Sequence, residues 1–163
     1  MMHHSNDVVH ATIAIVTLSD SRTVAEDKSG QLIRQLIGDH HTIGSYALIP
    51  DDPQLLTSNL LELVADPEID VILCNGGTGM SKRDYTYATI KKLLDKELVG
   101  FGEQFRQQSY EEIGVKGLFS NAIAGTINET ALFALPGSTN AVKLGMEAFI
   151  LPMLPHLLGE LRK

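Results

Sequence analysis

Cysteine is almost absent from this chain of 163 residues, which contains only Cys74. A single cysteine excludes an internal disulfide and is typical of a reducing compartment. The sequence also lacks an apolar run long enough to cross a membrane, and polar residues 1–10 lack the apolar stretch of a signal peptide. These absences predict a cytoplasmic protein without a membrane partner, in which residues 1–10 form a flexible N-terminal segment.

Positive charge is scarce as well. The 13 lysine and arginine residues are outnumbered by 20 aspartate and glutamate residues, which gives a net charge of −7. Such a charge repels a nucleic-acid backbone at long range and argues against nucleic acid as a partner. A small anion remains compatible with it, because backbone N–H groups and a local cation can hold one. The length and the 44% of apolar residues predict one globular domain over residues 11–163.

The apolar pattern alternates between strands and helices. Runs rich in isoleucine, valine and leucine predict buried strands at residues 11–18, 43–49 and 69–74. Helical patterns follow these runs, at residues 29–38, from Pro53 onward and from Thr86 onward. The alternation predicts an α/β fold, a three-layer sandwich with a mostly parallel sheet and helices on both faces.

The second half of the chain adds three further elements. Residues 101–112 are predicted to form a helix, and residues 122–135 a late β-hairpin around a short polar turn. Ser138 is the expected N-cap of the last helix. Pro152 and Pro155 are expected to interrupt that helix before its final leucines.

The most informative segment is residues 75–84, with the sequence Asn-Gly-Gly-Thr-Gly-Met-Ser-Lys-Arg-Asp. It lies between a predicted strand and a predicted helix. Its glycines let backbone N–H groups approach a ligand, and the start of a helix favours an anion. Lys82 and Arg83 add positive charge, and Asp84 adds a carboxylate. The segment predicts a site for a phosphate-bearing small molecule, although it matches neither the P-loop nor the dinucleotide fingerprint, and a plain connection is the alternative.

Further polar residues are expected beside this segment, because ligands bind at the carboxyl ends of parallel strands. The rule places on one rim Ser19, Asp20, Asp51, the glycine loop and the loop at Pro136. Asp52 is the expected N-cap before Pro53, which leaves Asp51 without an obvious structural role.

Several of these candidates have a purely structural alternative. Asp84 could cap the helix that follows it, a role that Thr86 could also fill. Cys74 fits best as a small buried hydrophobe, because no partner base is suggested nearby. Turn, cap or surface roles are the alternatives for Asp20, Arg22, Lys82, Arg83 and Ser138.

The order of five motifs makes the chain resemble a known family. They are Leu-Ser-Asp-Ser-Arg at residues 18–22, Ile-Pro-Asp at 49–51, the glycine segment at 75–84, Phe-Gly-Glu-Gln-Phe-Arg at 101–106, and Leu-Pro-Gly-Ser at 135–138 with Asn-Ala-Val at 140–142. In this order they resemble the MoaB/Mog family of molybdenum cofactor biosynthesis, the molybdopterin adenylyltransferases and their relatives. The similarity covers about residues 12–161.

The resemblance implies a reaction and a set of site residues. Members of the family transfer AMP from ATP to molybdopterin and release pyrophosphate, with Mg²⁺ as cofactor. Asp51 and Asp84 would be catalytic and would organise the Mg²⁺. The residues that would bind phosphate and substrate are Ser19, Asp20, Gly76, Gly77, Thr78, Gly79, Ser81, Lys82, Arg83, Pro136, Gly137 and Ser138.

The resemblance also implies an assembly, a homotrimer or a hexamer built from trimers, and other molybdenum cofactor enzymes as further partners. Large apolar side chains in the late segments, among them Phe101, Phe105 and Phe119, fit an association surface.

Three positions depart from the family pattern. Asn75 stands where threonine is common, Ala88 where an acidic residue is usual, and Asn121 where arginine is usual. Ala88 removes a carboxylate and Asn121 removes a cation near the expected site. Two functions therefore remain open, an adenylyltransferase and a non-catalytic molybdopterin-binding or assembly protein of the same fold, with a generic nucleotide-binding domain as a third.

Overall fold

The computed structural model describes residues 9–163, so the expected flexible segment lies outside the described residues except for Val9 and His10. The described chain forms a six-stranded sheet in the order β2-β1-β3-β6-β5-β4. Its strands are β1 (Thr12–Leu18), β2 (Thr42–Ile49), β3 (Val71–Asn75), β4 (Lys96–Glu97), β5 (Ile123–Ile127) and β6 (Thr130–Leu135). The first four strands in that order are parallel, and β5 and β4 are added antiparallel. The prediction of a mostly parallel sheet with a late hairpin is confirmed.

Helices cover both faces of this sheet. They are α1 (Lys28–Ile37), α2 (Pro53–Ala65), α3 (Thr86–Leu93), α4 (Val99–Ile113), α5 (Thr139–Leu144) and α6 (Leu151–Leu161), with 3-10 turns at Val24–Glu26 and Gly114–Phe119. One core contains Ile33, Phe105 and Leu158, and the other contains Leu56 and Ile90. Successive residues of β1 belong to the two cores in turn, as the period of two in a strand requires. The three-layer α/β sandwich is thereby confirmed.

The register of the parallel strands gathers their carboxyl ends on one rim. Leu18 pairs with Ile49 at the ends of β1 and β2, and Asn75 pairs with Leu135 at the ends of β3 and β6. Asn75 also pairs with Thr17 of β1. The loops that begin at residues 19, 50, 76 and 136 therefore start beside one another, as the sequence predicts.

The C-terminal helix differs from its prediction. A π-helical segment, Gly145–Ile150, joins α5 to α6, so helix runs without a break through Pro152 and Pro155. The π turn widens the helix just before Pro152, where the proline ring would otherwise meet the carbonyl group of the preceding turn.

By length and composition, Thr139–Leu161 could cross a membrane, contrary to the expectation that no run is long enough. Its inward residues Val142, Met146, Ile150, Leu154 and Leu158 are nevertheless buried in the first core, as in a core helix of a globular domain.

The turn of the β5–β6 hairpin places two non-glycine residues in the left-handed region. Asn128 has φ 46° and Glu129 has φ 72°. Asparagine adopts this conformation with little strain, whereas glutamate does so at a cost, and glycine is preferred at the second position of such two-residue turns. The strand β4, which the sequence pattern does not reveal, pairs with β5 through only two residues.

Replacing Glu129 with glycine is expected to stabilise the fold. Glu129→Gly should raise the free energy of unfolding by roughly 0.5–1 kcal/mol, because it removes the strain of a left-handed residue that has a side chain. Urea denaturation measures the change. Asn128→Gly is the matched control and should have a much smaller effect. A loss of stability in Glu129→Gly would contradict this reading of the turn.

Candidate functional site

The glycine loop, residues 76–79, connects β3 to the segment before α3 and packs tightly against its surroundings. Gly76 has φ 101° and Gly77 has φ 70°. A Cβ atom on Gly76 would lie 2.2 Å from the carbonyl oxygen of Leu18, and one on Gly77 would lie 2.3 Å from Oγ1 of Thr86. The hydroxyl of Thr86 donates to the carbonyl of Gly76 at 2.8 Å, and the backbone N–H of Thr86 donates to the carbonyl of Gly77 at 3.0 Å. Both positions therefore require glycine.

Asp51, which follows Pro50 after the end of β2, lies against this loop. Its Oδ1 lies 2.9 Å from the position that a Cβ atom on Gly77 would occupy. Oδ1 is buried, and no hydrogen-bond donor among residues 9–163 reaches it. Burial, together with repulsion from Asp20 and Asp84, raises the pKa of Asp51 above its ordinary value. A buried acceptor without a donor costs about 1–3 kcal/mol, so this arrangement needs an explanation.

Asp51 is not unique in having such an oxygen, since Asn59 Oδ1 and Ser120 Oγ are also buried without a partner among the described residues. Two features set Asp51 apart. Its oxygen belongs to a carboxylate, and it lies beside a glycine loop together with two further acidic residues. A cation or a proton-donating group of a ligand would satisfy this oxygen.

Asp20 and Arg83 form an ion pair with each other on the exposed rim of the site. The guanidinium of Arg83 donates through Nε and Nη2 to the two oxygens of Asp20, at 3.0 and 3.1 Å. This hydrogen-bonded pairing lowers the pKa of Asp20. Asp20 Oδ1 also accepts from the backbone N–H of Asp51 at 3.0 Å. The charge of Arg83 is thus already engaged, while Lys82 is exposed.

Asp84 shapes the second part of the loop. Its Oδ2 accepts from the N–H and from the hydroxyl of Ser81, both at 2.8 Å, and lies 2.7 Å from where a Cβ atom on Gly79 would be. The alternative that Asp84 caps α3 is wrong, because the N-cap residue is Tyr85 and no side chain caps that helix. Thr86 does not cap it either, since its hydroxyl bonds to Gly76.

The second loop, residues 136–138, lies against the first. The N–H of Gly76 donates to the carbonyl of Leu135 at 2.9 Å, and a Cβ atom on Gly137 would lie 3.4 Å from Cα of Gly76. Ser138 Oγ accepts from the N–H of Ala141 at 3.1 Å, which confirms its prediction as an N-cap. Ser19 Oγ likewise accepts from the N–H groups of the turn that follows it. These two hydroxyls each have a local structural role.

A buried polar network beneath the two loops is absent from the sequence-based site. It joins Arg22, Asp27 and Ser29 to Asn75 of β3, which is fully buried. Asn75 therefore has a structural explanation for its departure from the family pattern. The partners are too far apart in sequence for spacing to reveal them.

Three other sequence predictions have clear outcomes. Cys74 is fully buried, and burial raises the pKa of its thiol to about 12, which confirms it as a packed hydrophobe. Ala88 lies exposed on α3. Asn121 holds the glycine loop through its backbone, whose N–H donates to the carbonyl of Thr78 at 2.9 Å, and its side-chain amide lies 3.6 Å from the sulfur of Met80.

Asp51 and Asp84 are the residues that would hold a Mg²⁺ ion at this rim. No group of three or more His, Cys, Asp or Glu residues within the described chain is arranged to hold a metal ion. Mg²⁺ typically takes one or two carboxylates and completes its shell with substrate phosphates and water. The uncompensated Oδ1 of Asp51, with Asp84 beside the same loop, matches that requirement.

Removing the charge of Asp51 is expected to stabilise the protein at neutral pH. The pKa of Asp51 in the folded protein is raised above the ordinary 3.8, so the folded state favours the protonated carboxyl. The free energy of unfolding of the wild type therefore falls as the pH rises from 3.8 through the folded-state pKa. Asp51→Asn should therefore raise the free energy of unfolding at pH 7 by up to about 1 kcal/mol, the site being partly open to solvent. This gain should vanish below pH 3.8.

Denaturant unfolding across this pH range measures the effect. Asp52→Asn is the matched control, since asparagine caps α2 as well as aspartate does and stability should change little. A destabilised Asp51→Asn at pH 7 would show that the carboxylate is compensated in the folded protein.

Comparisons with known proteins agree with this architecture. The family model described as "Probable molybdopterin binding domain" matches residues 14–156. The molybdenum cofactor biosynthesis protein B of Staphylococcus epidermidis is 47% identical over 98% of this chain and 93% of its own length. The protein of the same name from Bacillus cereus is 46% identical over 91% of this chain and 89% of its own length.

Solved structures give the same result. A crystal structure of a molybdenum cofactor biosynthesis protein B has a TM-score of 0.92 at 44% identity, covering 96% of this chain and 99% of its own. The tungsten cofactor synthesizing protein MoaB from Pyrococcus furiosus has a TM-score of 0.85 at 38% identity, covering 94% and 98%. With the family model spanning most of the domain and relatives this similar over nearly their whole length, the chain belongs to the MoaB/Mog family of molybdenum cofactor biosynthesis proteins.

Proposed function

We propose that this protein binds molybdopterin and transfers AMP to it from Mg-ATP. Family membership supports a role in molybdenum cofactor biosynthesis. The observation that carries the enzymatic part is the buried Oδ1 of Asp51 beside Gly77, which has no hydrogen-bond partner among residues 9–163. A buried carboxylate oxygen without a donor lowers the stability of the folded protein at neutral pH. A bound cation would offset this loss by neutralising the carboxylate.

The charge of the site supports dependence on Mg²⁺. Asp20 and Asp84 each repel Asp51 electrostatically, and Arg83 is already paired with Asp20. A triphosphate that approached these carboxylates without a cation would be repelled. Mg²⁺, when bound, would neutralise phosphate charge and join the carboxylates to the nucleotide. Asp51 and Asp84 are the residues that would hold it.

The remaining residues act by binding and orientation. A terminal phosphate oxygen of molybdopterin attacks the α-phosphorus of ATP, a new P–O bond forms, and the bond to the leaving pyrophosphate breaks. The glycine loop would bind phosphate through the backbone of Gly76, Gly77, Thr78 and Gly79. Three residues would contribute at the outer end of this loop: Ser81, Lys82 and Arg83. The rest of the substrate site would be formed by Ser19, Asp20, Pro136, Gly137 and Ser138. Such a transfer needs positioning and charge neutralisation more than covalent participation by the protein.

A second candidate function is binding of molybdopterin without catalysis. Ala88 is exposed and brings no carboxylate, and Asn121 brings a neutral side chain to the glycine loop. Both observations favour binding over turnover. The assay below separates the two functions, because the non-catalytic protein would bind molybdopterin and yield no adenylylated product.

Turnover is expected to depend on both acidic residues. Asp51→Asn and Asp84→Asn should each lower the rate of AMP transfer by about 100-fold or more, the size typical of losing a group that stabilises transition-state charge. Asp52→Asn is the control and should retain wild-type turnover, because Asp52 caps α2 outside the glycine loop. Chromatography of adenylylated molybdopterin over a Mg²⁺ titration measures the rates. Wild-type turnover in either site variant would remove that residue from the mechanism.

We further propose that the chain forms a homotrimer or a hexamer of trimers. The expected association surface needs a correction, because Phe101 and Phe105 are buried in the core. Six exposed apolar side chains lie instead on α4 and on the 3-10 turn that packs against it, and we call this set the α4 patch: Val99, Tyr110, Ile113, Val115, Leu118 and Phe119. Each is at least half exposed, and association that covered them together would bury an apolar surface.

Breaking the α4 patch should dissociate the assembly. Phe119→Glu should convert the oligomer to monomers at micromolar concentration, because it places a charge in the contact. Leu61→Glu is the matched control, since Leu61 is an exposed leucine of α2 outside the patch. Analytical ultracentrifugation reads out both variants. A wild-type monomer, or an intact oligomer in Phe119→Glu, would rule out assembly through this surface.

A further inference from the structure

The polar network around Asn75, buried except at the partly exposed Arg22, forms a continuous chain of directed hydrogen bonds. Arg22 Nη1 donates to Ser29 Oγ at 2.7 Å, and Ser29 Oγ donates to Asn75 Oδ1 at 2.6 Å. Asn75 Nδ2 in turn donates to Thr17 Oγ1 at 2.9 Å. Asn75 therefore uses its acceptor and its donor on different partners. The chain ends at Thr17 of β1, and its member Asn75 directly precedes Gly76, the first residue of the glycine loop.

Asp27 anchors this chain as a buried anion. It is 1% exposed, and it accepts from the Gly30 N–H at 3.0 Å and from the Tyr46 hydroxyl at 2.5 Å. Burial alone would raise the pKa of Asp27, but hydrogen bonds from Tyr46, Thr17 and Gly30 oppose it and hold the pKa below its ordinary value. Burial and the bond to Asp27 raise the pKa of Tyr46 to about 12. Asp27 thus stays charged, and Arg22 supplies the balancing cation at 3.4 Å.

Arg22 extends the network to the second loop. Its Nη2 donates to the carbonyl of Gly137 at 2.9 Å while Nη1 holds Ser29 and Asp27. A Cβ atom on Gly137 would lie 3.3 Å from that same Nη2. A rigid planar fork can hold these acceptors at once, whereas the single ammonium of a lysine cannot reproduce the same geometry.

We propose that Arg22 and Ser29 are positioning residues that fix the second loop, through Gly137, against the glycine loop, through Asn75. The functional part rests on the proposed AMP transfer, in which the two loops would hold different parts of the substrates. Their relative placement then sets the distance between the reacting groups. A small error in that distance is costly for a transfer that relies on orientation.

Amide hydrogen exchange tests the structural part without any ligand. The N–H groups of Gly76 and Thr86 report on the glycine loop, and those of Ala141 and Val142 report on the second loop, because each is bonded within or across these loops. Arg22→Lys should raise exchange at all four amides by about tenfold, while the amide of Ile15 in the core strand β1 keeps its rate.

A second variant separates the two arms of the network. Ser29→Ala removes the link to Asn75 but leaves the bond from Arg22 to Gly137, so exchange should rise at Gly76 and Thr86 and remain unchanged at Ala141 and Val142. Arg162→Lys is the control, because Arg162 pairs with Asp70 at the opposite end of the sheet. Wild-type exchange at both loops in Arg22→Lys, or an equal rise at Ile15, would overturn the proposal.

The functional part is tested with molybdopterin and Mg-ATP. Arg22→Lys and Ser29→Ala should lower turnover at saturation by about tenfold and raise KM by less than that, since substrates still bind while their relative placement is lost. An equal loss in Arg162→Lys, or unchanged turnover in both network variants, would overturn it. If wild-type protein transfers no AMP, the proposed function fails, and the exchange measurements still decide whether the network positions the loops.

Discussion

Gly76 packs against two strands at once, and the geometry of the candidate site depends on that packing. Its N–H bonds to Leu135 at the end of β6, and its Cα approaches Leu18 at the end of β1 so closely that a Cβ atom would lie 2.2 Å from the carbonyl oxygen. Because β3 also ends here, three parallel strands meet around one glycine. Their loops consequently begin within contact of one another, and a ligand at one loop is within reach of the others.

This rim concentrates negative charge that the fold leaves partly uncompensated. Arg83 pairs with Asp20, but Asp51 has a buried oxygen that no donor in the described part of the chain reaches, and its pKa is raised. Asp27 differs, since this fully buried carboxylate accepts several hydrogen bonds and is balanced by Arg22. The two aspartates therefore differ in how fully the described residues satisfy their oxygens, and this difference underlies the proposed role of Asp51.

The sequence was sufficient for the parts of the fold that are set by local pattern. The alternation of strands and helices predicts the sheet, and the run of glycines between β3 and α3 predicts a loop with φ values that only glycine adopts easily. Asp51 could be found because Asp52 and Pro53 already account for the start of α2. Contacts between distant residues carry no such pattern. The bond from Arg22 to Gly137 spans 115 positions, and the π turn that lets the last helix continue through Pro152 has no local signature.

AMP transfer to molybdopterin is the central claim, and one incubation tests it directly. Wild-type protein is mixed with molybdopterin, Mg²⁺ and ATP labelled at the α-phosphate, and label in the pterin product is compared with released pyrophosphate. The proposed chemistry predicts that one AMP joins molybdopterin for each pyrophosphate released, and that chelation of Mg²⁺ abolishes both. Molybdopterin that binds but acquires no label in the presence of Mg-ATP would contradict the claim and leave binding without catalysis as the function of this site.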